Sequence, residues 1–98
     1  MDFQNKLSDF RKELASIDED LILLLQKRNK ISTEIGVLKY NQKIAIKQPE
    51  IWDAFSKSRN KLVRKYRLNK KFIHSIFKVI HKNSIKIQKD LVKQLKKG

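Results

Sequence analysis

The feature that most constrains this chain is one unbroken seam. Apolar residues fall at Leu7, Phe10, Leu14, Ile17, Leu21, Leu24, Ile31, Ile35 and Leu38, in steps of three and four, with Arg28 standing where the pattern calls for a leucine. That spacing is the signature of a helix with one buried stripe. It predicts a single helix over about residues 5–40, because nothing between them breaks it and Gly36 costs only ~1 kcal/mol relative to alanine. About 36 residues at 1.5 Å each span roughly 54 Å. A compact domain of this size is only about 35 Å across. The helix is therefore expected to run beyond its own fold, and a stripe of that length wants a partner. A symmetric dimer in which the long helices cover each other is the economical solution, with an isolated antiparallel coiled coil as the alternative.

The rest of the chain reads as two shorter helices. "NQKIAIKQ" (41–48) is a connector, and Pro49 opens the second helix, where a proline sacrifices no hydrogen bond. Its apolar marks are Trp52, Phe55, Leu62 and Tyr66. "YRLNKKF" (66–72) interrupts it, and Asn69 is suited to cap a third helix carrying Ile73, Phe77, Ile80, Ile87, Leu91 and Leu95. The expected fold class is all-α, three helices forming an intertwined homodimer. Residues 1–98 make one domain, with its core in 6–92 and a frayed, solvated basic tail at 93–98.

With no cysteine, a disulfide framework and a cysteine-based zinc site are both excluded. The opening "MDFQNKLSDF" has no basic segment followed by an apolar one, and the longest apolar run, "LILLL", is far short of a membrane span. A soluble, cytoplasmic protein is expected. The net charge of +14 is uneven: residues 1–48 carry +2 and residues 49–98 carry +12. Such a field attracts anions, whether nucleic acid or small carboxylates. Nineteen of the 24 cations are lysine, and abundant Ile and Asn accompany them, as codon usage in an AT-rich genome would give. Nucleic acid is accordingly not the expected partner.

The informative residues are polar ones in apolar seams. A lone seam arginine ordinarily lays its methylenes on the core and carries its guanidinium to water. Arg28 has company, however. Lys39, eleven residues on, lies only ~20° away around the helix, and Ser32 is one turn from Arg28. The three share a stripe roughly 16 Å long, a wall suited to a dianionic ligand. The third helix repeats the pattern, with Ser84 interrupting its seam and Gln88 one turn further; buried side chains of either kind need a hydrogen-bond partner. Arg11 flanks the seam of the first helix. Familiar catalytic groupings are missing. The glycines are isolated, no Ser/His/Asp spacing occurs, and His74 and His81 have no fellow ligands for a metal. Asp18, Glu19 and Asp20 read as a solvated patch.

Taken together, "LSDFRKELASIDEDLILLLQKRNKISTEIGVLK", "QPE" and "FIHSIFKVIHKNSIKIQ" resemble the all-helical, AroQ-type (type II) chorismate mutases over about residues 6–92. The resemblance implies an intertwined homodimer with two active sites, each borrowing an arginine from the partner. It implies the Claisen rearrangement of chorismate to prephenate, on the route to phenylalanine and tyrosine, with no nucleophile, metal or cofactor. Arg28 and a partner-chain Arg11 would bind the substrate carboxylates, and Ser84 would help. Lys39 and Gln88 would donate to the ether oxygen, while Ser32 and Gln48 would line the substrate.

One departure stands out. The family usually places an arginine near the start of the second helix, and here "QPEIW" puts Ile51 there. Gln48 and Trp52 stand where other branches have acidic residues that touch the substrate hydroxyl. Losing a carboxylate-facing cation is expected to lower activity by a few kcal/mol of transition-state binding unless another group, such as Lys47, replaces it. Two other readings share the fold: an isochorismate-pyruvate lyase with a similar cationic pocket, and a weakened regulatory or basic binding module.

Overall fold

A computed structural model describes residues 2–98 as three helices: α1 (Asp2–Asn41), α2 (Pro49–Lys65) and α3 (Lys70–Lys97). Among the described residues there is no strand. No helix is long and apolar enough to cross a membrane. α1 is 40 residues, about 60 Å of continuous helix.

The chain divides into two units, one ending at Ile31 and the other running from Ser32 to Gly98. In the first, the seam is uncovered within the single chain: Phe10, Leu14, Ile17, Leu21 and Leu24 are all more than half exposed. Asp18, Glu19 and Asp20 are exposed as well.

The second unit packs the last turns of α1 with α2 and α3. Each helix begins and ends for a local reason. Pro49 sits in the first turn of α2, and the Gln48 carbonyl accepts from the amides of Ile51 (3.0 Å) and Trp52 (3.3 Å). Asn69 caps α3, its Oδ1 accepting from the Phe72 amide at 2.9 Å. α1 and α2 both stop in a Schellman turn. Ile44 N–H donates to Lys39 O and Lys43 N–H to Tyr40 O; Leu68 and Arg67 do the same to Val63 and Arg64. Glycine usually fills the left-handed position of that turn, but here Lys43 (φ 56°) and Arg67 (φ 55°) occupy it.

One expectation is corrected. α2 faces inward through Trp52, Ser56, Arg59 and Val63, each partly or fully buried, whereas Phe55, Leu62 and Tyr66 are exposed. The true stripe is rotated by one residue, because Ser56 and Arg59 bond each other on that face while Trp52 and the buried Val63 supply its apolar anchors. The basic tail is exposed, with α3 helical through Lys97 and the Gly98 amide donating to Gln94 O.

At Gly36, α1 and α3 come into close contact. A Cβ built on it would stand 2.9 Å from Leu91 Cδ2, 3.2 Å from Gln88 Cγ and 3.5 Å from Gln88 Cα. A methyl group fits at that crossing only if the Leu91 and Gln88 side chains shift. Glycine's loss of helix propensity is thus exchanged for close contact between helices.

Candidate active site

The close crossing at Gly36 sets the polar residues of α1 against those of α3. One turn before it, the buried Ser32 hydroxyl donates to Ser84 Oγ at 3.0 Å. One turn after it, Lys39 Nζ donates to Gln88 Oε1 at 3.2 Å and to the carbonyl of Ile46 in the connector at 2.7 Å. Gln88 is only 5% exposed, yet no buried side-chain polar atom lacks a partner among the described residues. These bonds join α1, the connector and α3 at one place.

The hydrogen-bond directions follow from the groups. A lysine side chain can only donate, so Gln88 must turn its oxygen toward Lys39 and its NH2 away. Partial burial lowers the Lys39 pKa from its ordinary 10.5 through desolvation. Its charge is therefore less quenched by water than that of an exposed lysine and acts more strongly on anything bound nearby.

A second cluster lies between α2 and α3. The Trp52 ring centroid is 4.5 Å from that of His81 and 6.0 Å from that of His74. The Arg59 guanidinium sits 4.9 Å from the Trp52 centroid and 4.5 Å from that of Phe77, and its Nη2 donates to Ser56 Oγ at 3.3 Å. Burial, then the charges of Arg59, Lys39 and Lys47, lowers the His81 pKa below its ordinary 6.5. Alongside runs an open groove of about 860 Å³, with Lys47, Gln48, Trp52, His81, Ile85 and Lys86 among its lining residues. That volume is within the range of small-molecule sites.

Of the residues singled out from sequence, Ser32, Lys39, Ser84 and Gln88 are brought together by hydrogen bonds. Gln48 precedes α2, makes no side-chain capping bond, and lines the groove. Arg11 and Arg28 are exposed on the part of α1 that precedes Ser32. Ile51 is 45% exposed. Sequence reasoning missed Arg59, the Trp52–His81 pair and the role of Gly36. Arg59 was detectable, since it lies seven residues after Trp52 and so on the same face of α2.

Comparison with known proteins bears on this arrangement. The family described as chorismate mutase type II matches residues 10–89. A bifunctional chorismate mutase/prephenate dehydratase of Buchnera aphidicola subsp. Baizongia pistaciae (strain Bp) is 33% identical over 94 residues, covering 96% of this chain and 25% of the relative. The protein of the same name in Buchnera aphidicola subsp. Schizaphis graminum (strain Sg) is 30% identical over 92 residues, 94% of this chain and 24% of the relative. The chain thus spans about a quarter of the length of these curated relatives. No solved structure gave a significant match.

Proposed function

Because the chain belongs to the type II chorismate mutase family, we propose that it converts chorismate to prephenate by the Claisen rearrangement. The observation that carries this reading is the Lys39–Gln88 pair, fixed at 3.2 Å across the α1–α3 crossing. The reaction breaks an ether C–O bond as a C–C bond forms, and negative charge builds on the ether oxygen in the transition state. Nothing is protonated and no covalent intermediate arises. Two requirements remain: holding the substrate in its compact conformer, and placing donors where the charge develops. The Lys39 ammonium and the Gln88 amide serve as those donors. Ser84, whose oxygen already accepts from Ser32, is set to donate its own proton to a substrate carboxylate. Gln48 faces the ring from the groove wall. Arg28 and a partner-chain Arg11 neutralise the carboxylates.

The shared site requires a dimer, and the exposed apolar surface supports one. Besides the α1 seam, α2 leaves Ile51, Phe55, Leu62 and Tyr66 uncovered at spacings of four, seven and four residues. Single chains rarely leave two such stripes in water. An intertwined pair of chains would cover both and complete each site with the partner's Arg11. The relatives' name pairs chorismate mutase with prephenate dehydratase, an activity on prephenate, which supports a role in making aromatic amino acids.

The test is prephenate formation by the purified chain, by Arg28→Ala and by Ile51→Arg. A rate no higher than the uncatalysed background at high protein concentration refutes the reading, and salicylate formed from isochorismate redirects it to the lyase. A gain from Ile51→Arg shows that position 51 limits the site.

A further inference from the structure

α3 carries Phe77, His81, Ser84 and Gln88 on one stripe, at spacings of four, three and four. Ser84 and Gln88 belong to the hydrogen-bonded cluster. Toward the start of α3 the same stripe meets the inward face of α2, where Arg59 is held between the rings of Trp52 and Phe77 and tied to Ser56. A guanidinium set between two rings has lost much of its rotamer freedom before any ligand arrives. Stacking engages its faces, while its five N–H donors, one of them on Ser56, lie in its plane, the geometry that matches a carboxylate. The charge lies beside the groove. Trp52, against which it stacks, is a groove wall, and so is His81, 4.5 Å from that ring.

The surroundings favour an anion. Burial first, and then the positive charges of Arg59, Lys39 and Lys47, which all act at the His81 ring, keep the imidazole neutral to lower pH. Lys78, Lys82, Lys86 and Lys89 add to the same groove, and Asp90 is its single carboxylate. Ile51 precedes Trp52 and offers no charge; the arginine of this face comes seven residues after Trp52.

We propose that Arg59 is a carboxylate-binding residue of the same site, gripping one carboxylate of the bound dicarboxylate beside the Trp52–His81 pair while Lys39 and Gln88 serve the ether oxygen. The assignment rests on the mutase reading for the identity of the substrate, but binding alone can test the subsite. Trp52 is the only tryptophan in the chain and stacks on Arg59, so its fluorescence reports the subsite directly.

The experiment pairs chorismate kinetics with a fluorescence titration by isophthalate, a rigid aromatic dicarboxylate, on wild type, Arg59→Met and Arg59→Lys. Arg59→Met is expected to raise both KM for chorismate and Kd for isophthalate about tenfold or more, as loss of a charged hydrogen bond does, with kcat and Tm changing little. Arg59→Lys restores part of the loss. Wild-type KM and Kd in Arg59→Met overturn the proposal. So does an equal fall in kcat and Tm in both variants, which would make Arg59 only a brace. Should Arg59→Met not fold, Arg59→Lys decides: a raised KM at wild-type Tm supports the subsite, and an unchanged KM overturns it. Saturable, Arg59-dependent isophthalate binding without any prephenate formation supports the subsite and refutes the mutase reading alone.

Discussion

Lys39 Nζ stands 3.2 Å from Gln88 Oε1, and this contact orients a buried amide, because an ammonium can meet only its oxygen. The Gln88 NH2 group is left to donate elsewhere at every pH. Gln88→Glu keeps the shape and removes that donor. Beside the Lys39 ammonium the new carboxyl is expected to be ionised at neutral pH, where it can only accept. The expected result is a fall in kcat on the order of 10²–10³-fold at pH 7.5, recovering as acid protonates the carboxyl. Comparison of pH–rate profiles with wild type checks it; a loss that does not recover in acid contradicts the donor role.

Gly36→Ala separates helix propensity from fit. Alanine gains about 1 kcal/mol of propensity. Its Cβ would stand 2.9 Å from Leu91 Cδ2 and 3.2 Å from Gln88 Cγ, a crowding that costs about 1–3 kcal/mol. These opposing effects should leave Tm within several degrees of wild type. Leu91 Cδ2 can swing aside, but Gln88 Cγ must give by a few tenths of an ångström, so activity should fall several-fold as the Gln88 amide shifts against Lys39. Thermal unfolding and kcat/KM measured on one preparation decide it, and unchanged kcat/KM would mean that the pair tolerates the shift.

His81 ties stability to pH. Its folded pKa lies below the unfolded value near 6.5, through burial first and then the charges of Arg59, Lys39 and Lys47. Below 6.5 the unfolded chain therefore binds a proton that the folded chain resists. The contribution of the neutral ring is complete above 6.5 and is lost as pH falls through the folded pKa. Tm should drop as pH falls below about 6.5, and the drop should shrink in His81→Phe, which keeps a ring against Trp52. Identical pH profiles for the two proteins would remove His81 as the cause.

Much of this was legible in the sequence where one residue type has one local role. Pro49 and Asn69 begin helices wherever they can, and the seam of α1 repeats often enough to fix its period. Ser32, Lys39, Ser84 and Gln88 were visible as polar breaks in apolar stripes, and the structure pairs them. What stayed hidden depended on two helices at once. Gly36 looks like a weakness in α1 until α3 is laid across it. Arg59 looks like another surface cation in a chain with 24 of them until Trp52 and Phe77 enclose it. The inward stripe of α2 misled for a related reason: Ser56 and Arg59 bond each other and Arg59 packs on Phe77 of α3, so the exposed apolar stripe beside it carried the stronger pattern.

The dimer and the borrowed arginine can be tested together. If each site takes Arg28 from one chain and Arg11 from its partner, Arg11→Ala and Arg28→Ala homodimers are each defective in both sites. A mixed dimer has one site lacking both arginines and one lacking neither. Random reassortment makes about half of the dimers mixed, so the mixture should recover about one quarter of wild-type turnover per chain. The chains must be unfolded and refolded together, because intertwined helices exchange slowly. Prephenate assays before and after co-refolding, with light scattering to confirm a mass of two chains, give the readout. Two arginines acting within one chain would leave the mixture as inactive as its components, and a monomeric mass would remove the shared site altogether.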